Sequence, residues 1–429
     1  MAAAAHVSQL LARLRRDPFA DLPIAARLNQ LLAEQRVVWR DRLLTPLVTL
    51  RLFLIQVAHG NCAIAALRQL GGIAFAPSSY CEARARLPLP LLQSLLLWMQ
   101  ELGEQAMATA AVAAAGVRCA RRILILDGSS YTTADTPELV AHFHRPPQSN
   151  AAAYPMGKLM GLLDAGTGMF LSLLALPLLE HDLRGGIDLH PMLRAGDILV
   201  GDRAFCSFAH FALLQARGAF GCMRLHQGRK DQTPGRQLWI KPRQGSPWMA
   251  RAQYALLPQS LEVRIVRYTV AQKGFRSRTV LIATTLLNPV IWPDEKIAEL
   301  YGHRWQIETC FGHLKTTMRM NVLRCKTLAG VMKELAVYLV VYNLIRLVML
   351  SAGAAQQVAV RRVSFVDAMR LVAARMIGLD GVERLIVNPD RTGRSQFRMI
   401  RSRPKAYDWL RVTRRQKEAE IARKQAEVR

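Results

Sequence analysis

Cysteine is scarce and scattered in this chain: seven in 429 residues, with no Cys-x2-Cys pair. That excludes a disulfide framework and a zinc knuckle, and it fits a reducing cytoplasm. Acid is short as well. Thirty-one Asp and Glu stand against 58 Lys and Arg, a formal net charge of +27. Such a surplus argues against an ordinary metabolic enzyme and for a polyanionic partner, nucleic acid before anionic membrane. No apolar run reaches the roughly 20 residues of a membrane span. The most apolar, LAVYLVVYNLIRLVML at 335–350, contains Asn343 and Arg346 and reads as a buried helix, so no membrane partner is expected. The start, MAAAAHVSQLLARLRRDPF, has no signal-peptide apolar core, because Ser8, Gln9 and Arg13 interrupt it; it reads as a short amphipathic helix. No glycine-rich piece has a phosphate-loop pattern, so ATP is not expected. His142, His144, His181 and Asp182 have no third metal ligand at suitable spacing.

What is present is apolar enough to build large cores, with 51% hydrophobic residues. At roughly 100–200 residues per domain, the length accommodates two to four. Residues 1–112 read as helical, with leucines at helical spacing and Pro46, Gly60, Pro77, Pro88 and Pro90 as punctuation. Within them SSYCEARARLP (78–88) reads as a short helix with Arg84 and Arg86 exposed, able to enter a DNA groove. The run at 108–116, ATAAVAAAG, reads as a link. An α/β signal follows. RILIL (122–126) and DILVGD (197–202) read as strands buried on both faces, and 158–177 as a hairpin around DAGTG. SFAHFALLQARG is a helix with Ser207 at its entry and Gly218 at its stop, and AFGCMRL is another strand. Between 224 and 285 period-two alternation dominates, with twelve basic residues against two acids. A sheet this basic is suited to phosphate. The chain then returns to helix from Pro293, and the tail 390–429 carries thirteen basic and five acidic residues, as a charged helix or disordered arm.

Three acids stand out. Asp127 directly follows RILIL, and Asp202 ends DILVGD. In open α/β sheets ligands bind at the carboxyl ends of strands, so two such carboxylates converge if their strands are neighbours. Taken singly, each also reads as a turn-shaping aspartate. The third acid lies in one predicted helix with Tyr301, Arg304, Glu308 and Lys315 at offsets of −7, −4, 0 and +7 from Glu308. At about 100° per residue these four fall within an arc of about 60°. A face carrying phenol, guanidinium, carboxylate and ammonium is costly to bury unless paired or bound to metal and phosphate. Trp305 points about 100° away and reads as packing. Asp135, Asp164 and Asp197 are rival acids: Asp164 falls in a turn, and Asp197 starts a strand.

Tyr301-x2-Arg304-x3-Glu308-x6-Lys315 matches the Y-x2-R-x3-E-x6-K signature of bacterial DDE transposases of the insertion-sequence-four type. LILDGSSY around Asp127 and GDILVGDRAFCS around Asp202 resemble the family's two aspartate motifs. LTPLVTLRLFLIQVAHGNC (44–62), SSYCEARARLP and RSRPKAYDWL (401–410) resemble its terminal regions, so the resemblance spans nearly the whole chain. It implies an α/β fold: an RNase-H-like catalytic core interrupted by a β-rich insertion, with an N-terminal helical domain and a basic helical C-terminal region. The divisions are 1–112 (helical, DNA-binding), 118–223 (first part of the core), 224–285 (basic insertion), 286–352 (second part, with the glutamate helix) and 353–429 (helical and basic tail). Asp127, Asp202 and Glu308 are then the catalytic, metal-ligating residues, and Tyr301, Arg304 and Lys315 hold DNA phosphates near the cut.

Three carboxylates without His or Cys suit hard Mg²⁺ or Mn²⁺. Two such ions about 3.5–4 Å apart clamp the attacking and leaving oxygens of an in-line displacement at phosphorus. The expected function is metal-dependent strand cleavage at the ends of an insertion sequence, followed by strand transfer. The partners are double-stranded DNA, as terminal inverted repeats and target, and a second copy in the active complex. The expected location is the bacterial cytoplasm, at the nucleoid. The alternative is a catalytically inactive, transposase-derived DNA-binding protein; a plain metal-dependent nuclease is a third reading.

Overall fold

The computed structural model describes residues 24–39, 42–113, 121–146, 154–226, 228–229, 231–270 and 278–375, with positions 415–416, 419 and 423. The amphipathic start, the motif at 401–410 and nearly all of the charged tail lie outside the described residues.

Five helices come first: α1 (Ile24–Glu34), α2 (Pro46–Ala58), α3 (Ile64–Gly71), α4 (Pro77–Arg86) and α5 (Leu89–Ala113). Pro46 and Pro77 occupy first-turn positions, where a missing N–H costs nothing. Thr45 adds a side-chain cap to α2 through the Val48 N–H. The expected link at 108–116 is instead helix as far as Ala113, because its alanines are the strongest helix formers.

The sheet has eight strands in the order β3-β2-β1-β4-β5-β8-β7-β6. They are β1 (Ile123–Thr132), β2 (Met156–Asp164), β3 (Phe170–Leu176), β4 (Ile198–Gly201), β5 (Phe220–Arg224), β6 (Gly235–Ile240), β7 (Ser260–Val270) and β8 (Arg278–Thr284). β2 and β3 form the expected hairpin, β1 adds antiparallel to β2, and β1, β4 and β5 run parallel. The basic stretch joins the same sheet, since β8 pairs antiparallel with β5 and carries β7 and β6 outward. The fold is mixed α/β. Between the strands lie α6 (Pro137–Phe143), α7 (Asp182–Asp188), α8 (Phe208–Ala216) and α9 (Arg251–Ala255).

Alternation assigns the faces. Leu124 and Leu126 of β1 enter one core with α7 and α8. Ile125 and Tyr131 enter the other, shared with the N-terminal helices and the C-terminal helical region. In β4, Leu199 joins the first core, whereas Ile198 and Val200 face the helix following Pro293.

That helix is not continuous. It comprises α10 (Asp294–Gly302), α11 (Arg304–Gly312) and a π-helical turn, His313–Thr317. His303 marks the first break, where the Gln306 N–H bonds back three residues to its carbonyl. The second is a five-residue return from the Met318 N–H to His313 O. Neither shift is written in the 3.6-residue pattern.

Helix α12 (Leu328–Ala355) is long and apolar enough to cross a membrane, yet 94% of its most apolar stretch is buried inside the protein. Its two polar interruptions explain why it is a core helix. Asn343 exchanges hydrogen bonds with the Phe170 backbone at 3.0 and 2.9 Å, and Arg346 donates to Thr167 O. Both grip the turn between β2 and β3. A last helix, α13 (Phe365–Arg375), packs against α12.

Candidate active site

Asp127 lies inside β1, not at its end. The chain after Asp127 keeps pairing with β2 out to Thr132, whereas the parallel ladder to β4 stops at Leu126 opposite Gly201. Asp127 and Asp202 each take the next position, side by side where β4 ends. Parity sends both the same way. Asp127 shares a face with Ile125, and Asp202 continues the Ile198–Val200 face towards α10. Behind Asp202 a 3₁₀ turn, Arg203–Phe205, hangs on the Asp202 carbonyl through the Phe205 N–H.

Glu308 arrives from α11. Its approach needs Gly161, the β2 residue opposite Asp127, since a Cβ there would stand 2.9 Å from the Phe311 and Phe170 rings. Arg304, one helical turn before Glu308, holds the acids together. It donates to Glu308 Oε1 at 2.9 Å and lies 3.6 Å from Asp127 Oδ2. The Tyr301 hydroxyl donates to Asp202 Oδ1 at 3.5 Å. Lys315, brought round by the π turn, donates to the Ser129 hydroxyl at 3.0 Å. Ser129 shares the Asp127 face of β1, so five of the residues singled out from sequence gather with Asp202 at one place.

The electrostatics follow from this burial. Desolvation pushes the Asp127 carboxyl up to about 6, opposed by the Gly128 N–H and Arg304 and reinforced by Asp202 and Glu308. Burial raises the Tyr301 phenol to about 12, so it stays a donor. The Arg304 guanidinium is raised in spite of its burial, by Tyr301, Glu308, Asp202 and Asp127. Its Nε has no partner among the described residues.

The donor set is three carboxylates, the hard oxygen chemistry that suits Mg²⁺ or Mn²⁺. In kind it fits a divalent cation, and Arg304 shows that the acids already share one positive charge. It is not a closed cage, because among the described residues no three His, Cys, Asp or Glu are gathered closely enough to hold an ion. The rival acids are engaged elsewhere. Asp164 accepts from the Gly166 and Thr167 N–H groups, Asp197 pairs with Arg122, and Asp135 pairs with Arg145. His181 caps α7 and Asp182 pairs with Lys158.

Two expectations need correction. Trp305 is not packed: it is 52% exposed and lies under the Arg304 guanidinium at 4.6 Å. Arg84 is not an exposed groove-reading side chain. It turns inward over the Phe53 and Tyr80 rings and donates to Gln56 and Cys325, because α4 buries Tyr80 and Ala83. Arg86 does stay exposed, with its guanidinium over the Trp39 ring. Sequence reading also missed Ser129, Gly161 and His210. The His210 ring lies with Nδ1 2.7 Å from Phe205 O and Nε2 3.0 Å from the His190 ring. A carbonyl only accepts, so Nδ1 donates, and this buried pair fixes the turn behind Asp202. Only alternation along β1 could have pointed to Ser129.

Comparison with known proteins gives the family. A family model described as "Transposase DDE domain" matches residues 118–344, more than half of the chain. The transposase InsG of insertion sequence element IS4 from Escherichia coli K12 is 25% identical over 318 residues, covering 67% of this chain and 70% of that protein. The piggyBac transposase, solved as a synaptic complex with hairpin DNA, is similar with a TM-score of 0.43 at 10% identity, covering 86% of this chain and 80% of that one. With two strand-borne aspartates and a helical glutamate around one arginine, and a matching model over most of the sheet, this chain belongs to the DDE transposase family, of the insertion-sequence-four type.

Proposed function

We propose that the chain cuts DNA at the ends of its insertion sequence and joins them to a target at the Asp127–Asp202–Glu308 site. The carrying observation is the convergence of these carboxylates from β1, β4 and α11 upon Arg304 and Tyr301. Asp127, Asp202 and Glu308 would hold divalent ions, Mg²⁺ or Mn²⁺ and two in number, as enzymes of this family generally use. Such ions supply activation of the attacking water or 3′-hydroxyl and charge neutralisation at phosphorus. Arg304 offers a free Nε–H and a planar fork suited to two phosphate oxygens. Drawing Arg304 onto DNA would leave Asp127 and Glu308 to their ligand. Tyr301 donates from a phenol that keeps its proton, and Lys315 adds a point charge beside Ser129.

In this reading β3-β2-β1-β4-β5 is the RNase-H-like core, 224–285 its basic insertion, and 1–112 the helical region that reads the terminal repeats with Arg86. Two element ends must be held at once, which favours a homodimer in the active complex, working at the nucleoid. An inactive DNA-binding descendant is the second reading. The acid–arginine network speaks against it, since binding alone needs no such site.

The test is strand cleavage of DNA carrying the sequences that flank this gene, with Mg²⁺, for wild type and Glu308→Gln. Wild type should nick at the repeat boundaries, and the variant should be slower by roughly a thousandfold or more with DNA affinity retained. Binding without cleavage by wild type, in Mg²⁺ or Mn²⁺, would overturn the reading.

A further inference from the structure

A cavity of about 560 Å³ opens where the N-terminal helices meet the segment leading into α12. Four cations line it: Arg84 from α4, Arg324 and Lys326 from the connecting segment, and Lys333 from the first turns of α12. No acid lines it. Among the described residues none of the four makes an ion pair. Arg84 reaches only Gln56 and Cys325, and Lys333 reaches the Ala85 carbonyl. The nearby carboxylates are used up: Glu334 accepts from the Arg324 and Cys325 N–H groups and from Asn61, and Glu138 caps the Leu328 N–H. Burial lowers the Lys333 ammonium, as for a cation held without its counter-ion. Arg84 and Lys333 are part-buried, with Glu334 acting on Arg84 from behind, and Arg324 and Lys326 are exposed, so together they present a positive surface around a space that an anion can enter.

Its position relative to the acids is set by β1. Lys315 sits at Ser129, two residues beyond Asp127. Thr132, three further on, bridges to Val322 and exchanges hydrogen bonds with Asn321 and Leu323, next to Arg324. Five strand residues span roughly 17 Å.

We propose that this cavity is a phosphate clamp, in which Arg84, Arg324, Lys326 and Lys333 grip the backbone of bound DNA away from the acid site. The inference rests on the acid site being the place of cutting. It adds a second grip, spanning the joint between the helical region and the core, which fixes the angle at which the duplex enters.

Cys81, exposed on the rim, is a built-in reporter. Maleimide labelling of Cys81 in the unaltered protein, mapped by mass spectrometry in chelator, should slow at least fivefold with a 30-base-pair duplex. It should not slow with 10 mM inorganic phosphate. Arg324→Ala/Lys326→Ala, which changes two exposed side chains, should weaken duplex binding about tenfold at 150 mM salt. It should lower the slope of log affinity on log salt by about 2, equally for element-end and random DNA. An unprotected Cys81 or an unchanged slope overturns the clamp, and protection by phosphate alone reassigns the cavity to a free anion. Because these measurements contain no metal, they stand apart from the cleavage assay with Glu308→Gln, and either reading fails without the other.

Discussion

Asp127 carries the conflict between stability and function at the residue scale. In the unfolded chain its carboxyl loses its proton near the ordinary value of 3.8, in the folded chain only near 6, because burial disfavours the charge. The folded chain therefore binds more protons between those values. Its stability falls as pH rises through that window, and the full cost is present above about 6. Two pKa units correspond to about 3 kcal/mol at most, reduced in Asp127→Asn by the loss of an Arg304 partner. In chelator the variant should melt higher than wild type at pH 7.5 and no higher at pH 4, while losing cleavage. A lower melting point at pH 7.5 would mean that the ion pair outweighs desolvation. Asp202 and Glu308 were legible as a strand end and a helix position, whereas Asp127, expected at a strand end, lies inside β1. The fate of Arg84 was not legible, since its burial is decided by Phe53 and Gln56 on another helix.

At the scale of elements, Gly161 decides how closely α11 approaches the sheet. A side chain there must push the Phe311 and Phe170 rings, and Phe311 follows Glu308 by three residues. Gly161→Val should cost about 1–3 kcal/mol by overpacking. It should also reduce cleavage more than DNA binding, seen by comparing melting curves, cleavage rates and filter binding. Cleavage at the wild-type rate would show that Glu308 tolerates a shifted helix. The strands and the β2–β3 hairpin were readable from apolar runs and turn residues. The break at His303 and the π turn were not, although Gly302 and Gly312 directly precede them, because a single glycine inside a helical pattern is tolerated and does not by itself mark a phase shift. They follow from how the helix meets β1 and from the return of the Met320 N–H to Leu314 O.

For the whole molecule, the +27 charge dictates a binding mode. Affinity for duplex DNA should fall at least a hundredfold between 50 and 200 mM salt, as counter-ions released from phosphates lose their advantage. A flat profile would contradict phosphate-dominated binding. One apolar core runs from Leu28 to Val372 and takes in α11 and α12, so helices α1–α5 are built onto the sheet face that carries Asp127 and share its interior. Detached from α12, those helices would expose the leucines they give to that core, Leu28, Leu52, Leu92 and Leu95 among them.

The sequence by itself determined the charge surplus and the strand and hairpin set, and it singled out the three acids, because charge, alternation and helical spacing are local properties of a chain. Only the tertiary structure decided that Asp127 lies within its strand, that Arg304 ties it to Glu308, and that Trp305 is exposed. It alone joined the basic strands to the same sheet. These depend on which strand stops beside which, and on contacts between residues more than a hundred positions apart, for which a one-dimensional pattern carries no register.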